Sequence, residues 1–198
     1  VASPHSDHRD HALLAIAAGK HVLVEKAFAR NAAEAREVVD AARTAGVTCV
    51  EAMWTRFLPR TDIVRQTLAL GLLGEVETLV GDHGQWFAED PAFRLFAPEL
   101  AGGALLDLGV YPVSFTHFVL GRPGRITAVG TQAFTGVDRQ VSAVLDGFAG
   151  APRAHALVTT TLASRTPTTF TISGSDARLE LDGPFYNPGT VRLIDRRG

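Results

Sequence analysis

The stretch Val22-Leu23-Val24-Glu25-Lys26 decides the fold, because three consecutive apolar residues end abruptly in an acid and a base. A continuous run of this kind, preceded by Gly19 as a helix stop, is typical of a strand buried in a parallel sheet. In open α/β sheets, ligands bind beyond the carboxyl ends of the strands. We therefore expect Lys26 to lie in a crevice, as a proton donor, proton acceptor or clamp. A surface ion pair between Glu25 and Lys26 is the alternative.

The segments around this strand alternate between helix and strand. One helix is predicted from Asp7 to Ala18. A second begins after Asn31, whose capping box includes Glu34, and ends at Gly46. Another strand follows over residues 47–51, and this order predicts part of a doubly wound parallel sheet. The opening Val1-Ala-Ser-Pro has the pattern of a strand end, so we expect the chain to belong to a longer protein.

The pattern changes after residue 53. A helix begins at Leu58-Pro59, an alternating run covers residues 76–86, and residues 104–120 have a helical pattern. Six strands separated by turns follow, at residues 126–134, 140–148, 153–162, 168–173, 178–181 and 190–194. The sequence thus predicts an α/β part over residues 1–53 and an α+β domain with a large, mostly antiparallel sheet over residues 54–198.

Composition excludes several classes of function. The chain has 198 residues, 46% hydrophobic and 20% charged, with a net charge of −2, so we expect no nucleic acid as main partner. No apolar run reaches the ~18 residues of a membrane span, and no signal segment opens the chain. The single cysteine, Cys49, falls in a predicted buried strand, which favours a structural thiol. It is consistent with a reducing compartment, and we expect a cytoplasmic location.

Asp107 and Tyr111 are the strongest candidates for chemistry outside the first strand. They lie four residues apart, so on a helix they share a face, and Gly102-Gly103 just before them permits close approach of a ligand. Pro112 should weaken this helix and aim Tyr111 outward. A tyrosine near a lysine is expected to have a lowered pKa and to shuttle a proton to a carbinol or carbonyl oxygen. A capping aspartate and a packed tyrosine are the alternative.

Two further groups of residues have a pattern suited to binding. Trp54, Arg56 and Phe57 follow the second strand, and their planar groups suit a nicotinamide or sugar ring, although packing at a domain junction explains them equally well. The histidines at positions 5, 8 and 11 have a spacing that a metal could use. Histidines at the start of a helix more often cap and solvate it, so we expect no metal.

Four segments in this order resemble the Gfo/Idh/MocA oxidoreductase family, and within it the branch that includes glucose-fructose oxidoreductase and the dimeric dihydrodiol and xylose dehydrogenases. The segments are Ser3-Pro-His-Ser-Asp-His8, His21-Val-Leu-Val-Glu-Lys26, Glu51-Ala-Met-Trp-Thr-Arg-Phe57 and Gly102-Gly-Ala-Leu-Leu-Asp-Leu-Gly-Val-Tyr-Pro112. They span the first 112 residues. The strand-rich remainder fits the family's second domain but contains no motif that identifies it.

This resemblance implies a dehydrogenase that uses NAD or NADP and passes a hydride between the cofactor and a carbinol carbon of a sugar, polyol or trans-diol. Residues 1–53 would be the C-terminal part of a Rossmann-like NAD(P)-binding domain, and residues 54–198 a substrate-binding and dimerisation domain. Lys26 matches a lysine that touches cofactor and substrate, Tyr111 the general acid/base, and Asp107 the acid that orients the substrate. Phe87 would reach the substrate from an aromatic loop. The positions matching cofactor contacts are Ser3, Pro4, His5, His8, Glu25, Lys26, Trp54 and Arg56.

The sequence departs from the family pattern in three places. Ala27 replaces the usual proline, so we expect the backbone at Lys26 to be less constrained. No G-x-G-x-x-G turn for the pyrophosphate occurs in the 198 residues, and the residue that selects NAD or NADP would lie in the same segment. The end at Arg196-Arg-Gly198 also looks short for the family.

Two other interpretations of the chain remain open beside the dehydrogenase. One is a non-catalytic relative that binds a dinucleotide or sugar for regulation, which Ala27 and the missing glycine-rich turn favour. The other is a chain whose open sheet mainly makes a homodimer or homotetramer, because an apolar sheet face needs covering. Assembly through the sheet is compatible with the dehydrogenase as well.

Overall fold

The first part of the chain forms a small parallel sheet. The computed structural model describes all 198 residues. Strands β1 (Val22–Val24) and β2 (Cys49–Glu51) pair in parallel, with Val22 opposite Cys49. The backbone of Val1 is hydrogen-bonded alongside β1. Its nitrogen donates to Leu23 O at 2.7 Å, and its oxygen accepts from Glu25 N at 3.0 Å.

Helices α1 (His8–Ala17) and α2 (Ala32–Ala45) cover one face of this sheet. The predicted cap of α2 is confirmed, since the Asn31 side chain accepts from Ala33 N and Glu34 N, and Gly46 ends the helix in the left-handed conformation. The shared core consists of Ala12, Ile16, Val22, Val24, Val38 and Ala42. On the other face Leu23 is 60% exposed.

The second part is built on one large sheet. It begins with α3 (Pro59–Ala69) and β3 (Val76–Gly84), and a π turn at Leu105–Gly109 leads into α4 (Val110–Leu120). Six strands follow: β4 (Arg125–Gln132), β5 (Asp138–Asp146), β6 (His155–Thr161), β7 (Phe170–Gly174), β8 (Ala177–Leu181) and β9 (Val191–Asp195). The order across the sheet is β4-β5-β6-β3-β7-β8-β9, and only β3 and β6 pair in parallel. The predicted mostly antiparallel sheet is confirmed.

The core of this part lies between the sheet and α4. Phe115 of α4 meets Phe170 of β7 edge-on, with ring centroids 4.8 Å apart. Gly81 on β3 is needed here, because a Cβ at this position would collide with the Phe170 ring. Residues alternate between the two faces of β3, so Leu79 is buried while its neighbour Val80 lies exposed on the side away from α4. The helices therefore cover only one face of the sheet.

One helical segment is long and apolar enough to depart from the expectation that no part of the chain reaches the length of a membrane span. By length and composition alone, residues Pro98–Leu120 could cross a bilayer, and half of the most apolar window is buried within the protein. The segment packs against β3 and β6 and includes the buried carboxylate of Asp107. We interpret it as the core helix of the second part.

Removing the Phe170 ring should be costly, because it is fully buried at 0% exposure between Phe115 and Phe185. Phe170→Ala is expected to lower the free energy of unfolding by about 3–5 kcal/mol in urea denaturation. The matched control is Leu70→Ala, at a side chain that is 71% exposed. That variant should stay within about 0.5 kcal/mol of the parent. Equal losses in the two variants would contradict this description of the core.

Candidate active site

The three predicted catalytic residues come together where the two parts of the chain meet. The Lys26 Nζ, just after β1, donates to the main-chain oxygen of Asp107 at 2.7 Å and lies 3.3 Å from Asp107 Oδ1. The same nitrogen lies 5.2 Å from the centroid of the Tyr111 ring. An ammonium over an aromatic face is a favourable placement, so Lys26 is held from two sides.

Asp107 is a buried carboxylate that several cations surround. It is 4% exposed, and its Oδ1 accepts from Arg94 Nη1 at 2.9 Å. His5 Nε2 lies 4.0 Å from the same oxygen. Burial acts to raise the pKa of Asp107, but Lys26 and Arg94 together outweigh it, and the net result is a lowered pKa. The carboxylate therefore stays charged and holds Lys26 in place.

Pro112 shapes the helix that bears Asp107 and Tyr111. The helical pattern predicted for residues 104–120 is confirmed, and the structure adds that this helix begins as a π turn before it becomes α4. In an α-helix the N–H of residue 112 would bond Leu108 O, and proline has none. His83 Nδ1 supplies this bond instead, at 3.1 Å from Leu108 O. A histidine on β3 thus adds a hydrogen bond to a carbonyl that residue 112 cannot bond, beside the backbone N–H that the end of the π turn directs to it.

His83 is a neutral imidazole at the back of the site. It is 1% exposed, and burial lowers its pKa to about 4. Since Nδ1 donates to Leu108 O, Nε2 is free to accept from Gln85 Nε2 at 3.1 Å. The His83 ring lies edge-on to Tyr111, with centroids 5.4 Å apart.

Tyr111 does not have the lowered pKa that the sequence led us to expect. Burial raises the pKa of its phenol, and the indole of Trp54, which acts in the opposite direction, does not reverse the effect. The correction has a geometric reason. The Lys26 amine faces the ring of Tyr111 and bonds Asp107, rather than approaching the hydroxyl. Nor does Tyr111 point into solvent, because Tyr186 stacks on its ring with centroids 4.5 Å apart.

The residues matched to a cofactor loop are buried or partly buried. The His8 ring bridges two backbone oxygens, with Nδ1 2.8 Å from Ala27 O and Nε2 2.9 Å from Ser3 O. His5 is buried as well, with Nδ1 3.1 Å from Ala101 O. Pro4 precedes the short 3₁₀ helix that begins at His5. These histidines hold the turn after Val1 against the Lys26 segment.

Ala27 stands where the family usually has proline, and the fold packs it closely. Its side chain is buried, and its carbonyl oxygen lies 2.8 Å from His8 Nδ1. The less constrained backbone at Lys26 that the sequence leads us to expect stays a prediction.

An open cleft of about 450 Å³ lies at the carboxyl ends of β1 and β2. Lys26 and Tyr111 form one side of it, and apolar side chains supply much of the remainder. Its lining includes Leu23, Glu25, Lys26, Val50, Glu51, Trp54, Phe57 and Tyr111. An apolar floor with one amine and one phenol at its edge fits a planar nicotinamide and a hydroxylated substrate. The residues present therefore fit the reactive end of such a cofactor.

Two of the predicted site residues, Arg56 and Phe87, do not line this cleft, and Cys49 was predicted only as a structural thiol. The Arg56 guanidinium is exposed and donates to Ser114 Oγ at 3.1 Å. Phe87 packs against Phe93, with ring centroids 5.6 Å apart, and does not line the cleft. Cys49 is partly rather than fully buried, and burial raises the pKa of its thiol, which fits a structural role.

Sequence reasoning missed several residues that the fold brings to the site. Arg94 contacts Asp107 from a short 3₁₀ helix at Arg94–Phe96, and no sequence motif predicts this contact. His83 could have been found, because it occupies an inward position of the alternating run that includes Leu79. Tyr186 comes from the loop after β8 and lies 75 residues from its partner Tyr111 in the chain, so no local pattern predicts this contact.

Comparison with known families agrees with this architecture. Residues 1–53 match the model of the oxidoreductase family with an NAD-binding Rossmann fold. Residues 61–180 match the GFO/IDH/MocA C-terminal domain. The chain belongs to the GFO/IDH/MocA oxidoreductase family, and the resemblance drawn from its four segments is confirmed.

Individual relatives cover nearly all of this chain. The trans-1,2-dihydrobenzene-1,2-diol dehydrogenases of Macaca fuscata fuscata and Homo sapiens are 37% and 36% identical to it over 190 residues, 95% of this chain and 55% of theirs. The chain thus spans about half the length of these relatives. An aldose-aldose oxidoreductase from Caulobacter crescentus, solved with glycerol, superposes with a TM-score of 0.86 at 27% identity, over 96% of this chain and 57% of that one. An NAD-binding oxidoreductase from Klebsiella pneumoniae gives 0.85 at 29%, over 99% and 56%.

The buried His83 should make stability depend on pH. The unfolded chain binds a proton at this position near pH 6.5, whereas the folded protein does so only near pH 4. As the pH falls from 6.5 to 4, protonation of His83 in the unfolded chain should therefore lower the free energy of unfolding by about 3 kcal/mol.

His83→Asn keeps a donor for Leu108 O but does not titrate. The stability difference between parent and variant, measured by urea denaturation, should therefore shift in favour of the variant as the pH falls through this range. A difference that is constant with pH would show that His83 is not held neutral.

Proposed function

We propose that this protein is an NAD- or NADP-dependent dehydrogenase that acts on a CH–OH group of a sugar, polyol or trans-diol. The observation that carries the proposal is the contact of Lys26 with Asp107 beside Tyr111, at the edge of an apolar cleft. The names of the diol and aldose relatives support the substrate class. The family's description as NAD-binding supports the cofactor.

Each residue of the cluster has a chemical task in this proposal. Lys26 has an ammonium that donates to the substrate oxygen, and Asp107 with Arg94 keeps this side chain extended toward the cleft. Tyr111 holds its proton at neutral pH, because burial raises its pKa, so in the reducing direction it is the group that gives a proton to the carbonyl oxygen and becomes a phenolate. In the oxidising direction the phenol must first release its proton to solvent, and the phenolate then accepts the proton of the carbinol. A bound nicotinamide would supply the hydride acceptor or donor.

The cofactor-binding part of the proposal rests on the cleft itself. Trp54 and Phe57 expose planar apolar groups there, and Glu25 offers an oxygen for a ribose hydroxyl. Ser3, Pro4, His5 and His8 belong to the turn beside the Lys26 segment, where His8 contacts the backbone oxygens of Ala27 and Ser3 and His5 contacts that of Ala101. We propose that this turn supports the cofactor end of the cleft. Arg56 remains a candidate contact at the margin, and Phe87 a candidate contact for a larger substrate.

Lys26→Ala and Tyr111→Phe should each reduce turnover by about 10²–10⁴-fold, the usual contribution of a positioned acid/base group. The assay follows NAD+ or NADP+ reduction by absorbance, with the protein encoded by the complete gene and a panel of aldoses, inositols and trans-diols. Lys20→Ala is the matched control, since Lys20 is the only other lysine and is exposed at the end of α1. It should leave the rate unchanged.

Two results would contradict the dehydrogenase proposal. Turnover that survives in Lys26→Ala and Tyr111→Phe would place the chemistry elsewhere. Cofactor binding measured by calorimetry, with no turnover of any panel member, would favour the regulatory binding protein instead.

We also propose that the protein assembles as a homodimer or homotetramer through the uncovered face of the large sheet, and that it works in the cytoplasm. Val80, Val129, Val144 and Leu157 are exposed on this face, among threonine and serine side chains. Apolar side chains on an uncovered sheet favour contact with a second copy. The single, partly buried cysteine supports a reducing compartment.

Assembly through the uncovered face of the large sheet can be tested by introducing one charged side chain there. Leu157→Glu places a carboxylate in the middle of the face, where Leu157 is 44% exposed. We expect sedimentation velocity to show monomers, because burying an unpaired charge costs more than the contact contributes. Leu14→Glu, on α1, is the control and should sediment like the parent. An unchanged oligomer in Leu157→Glu would contradict the proposed interface.

A further inference from the structure

Arg60, at the start of α3, is a buried cation whose partners are backbone oxygens. It is 3% exposed, and its Nη1 donates to Pro184 O at 3.1 Å and to Asn187 O. Its Nη2 donates to Asp182 O at 2.8 Å and reaches Thr190 O at 3.4 Å. All four acceptors belong to one segment, residues 182–190, which joins β8 to β9. A single guanidinium therefore hydrogen-bonds backbone oxygens at both ends and in the middle of this connection.

No carboxylate forms an ion pair with Arg60. The residue is absent from the ion pairs of the protein, its Nε has no partner, and burial lowers its pKa. A buried charge is costly unless it is well paired, and this one is stabilised by carbonyl dipoles and by the Asp182 carboxylate, whose contribution is smaller than the opposing effect of burial.

Segment 182–190 contains Phe185 and Tyr186, which link the core to the site. Phe185 is fully buried against Phe115 and Phe170. Tyr186 stacks on Tyr111, with centroids 4.5 Å apart and planes 28° apart. The backbone oxygen of Tyr186 also lies 3.4 Å from Thr55 Oγ1.

We propose that Arg60 is a positioning residue for Tyr111: it fixes segment 182–190, which holds Tyr186 against the Tyr111 ring and thereby sets the orientation and burial of the phenol. The catalytic consequence rests on the proposed dehydrogenase function. The positioning itself does not, and it can be measured without a substrate.

The chain offers a direct spectroscopic test, because it contains only two tyrosines, Tyr111 and Tyr186. In Tyr186→Phe the aromatic stack is kept and Tyr111 is the one tyrosine left in residues 1–198, which we call the single-tyrosine background. The phenolate absorbance of this variant of the complete protein, minus that of the Tyr111→Phe/Tyr186→Phe double variant, reports the pKa of Tyr111 alone, a value that burial raises above the ordinary one. The other groups that face Tyr111 are constant across the series: Glu25, Lys26, Trp54, His83 and Asp107.

Arg60→Met in this single-tyrosine background releases segment 182–190 and exposes Tyr111 to water. The titration of Tyr111 should move down, toward the ordinary tyrosine value of about 10. Arg65→Met is the matched control, on the same helix, because Arg65 is exposed and pairs with Asp62 within α3. It should leave the titration where it was. An Arg60→Met titration that coincides with the control would overturn the proposal.

Two milder variants keep the test decisive if Arg60→Met fails to fold. Gly189→Ala disturbs the contact between Arg60 and segment 182–190 from within that segment, because the added Cβ would lie 2.8 Å from Arg60 Nη1. Arg60→Lys keeps the charge but lacks the planar fork that serves several carbonyls. Both should lower the Tyr111 pKa by less than Arg60→Met does. Folded variants with an unshifted Tyr111 would show that Arg60 is purely structural.

Kinetics separate this inference from the proposed function. Arg60→Lys should reduce kcat by about 10- to 100-fold with little change in KM, because a misplaced acid/base group affects the chemical step more than binding. A protein without any turnover would refute the dehydrogenase while leaving the titration test intact. A shifted Tyr111 pKa with unchanged kcat would refute the catalytic consequence of the positioning.

Discussion

The contact between Lys26 and Asp107 is the interaction on which the rest of the structure depends. Lys26 ends a strand of the small parallel sheet, and Asp107 lies 81 residues away on the core helix of the large one. Both groups are largely buried, so each charge requires the other. Arg94 and His5 approach the same carboxylate from two more segments. One ion cluster thus joins the two parts of the chain and defines the side of the cleft where chemistry can occur.

One part of the site is charged and another is neutral, and burial determines the protonation state only in the neutral part. Around Asp107 the cations prevail, and the carboxylate remains ionised. Around Tyr111, Tyr186 and His83 no charge is close enough to prevail, so burial keeps all three neutral. The structure thus places a neutral phenol beside an ammonium that is bonded to a charged carboxylate.

Irregular backbone concentrates in the same place. Pro112 removes a donor from the helix, a π turn precedes it, and His83 replaces the missing hydrogen bond. Such departures weaken a helix locally and persist only where tertiary contacts compensate. Here they release the oxygen of Leu108 to His83, while Lys26 binds the neighbouring oxygen of Asp107. The helix has lost regularity where it bears Asp107 and Tyr111.

Features that depend on neighbouring residues could be predicted from the sequence. The cap at Asn31, the stop at Gly46 and the strand alternation predicted the elements to within two residues for the strands of the large sheet, and the motifs around Lys26 and Tyr111 pointed to the site. Only the tertiary structure decided that Arg94 meets Asp107, that Tyr186 covers Tyr111 and that Arg60 holds the loop of Tyr186. These contacts join residues 13, 75 and 122 positions apart in the chain. Caps and alternation are local and can be read along the chain, whereas a buried charge or ring finds its partner only when distant segments pack together.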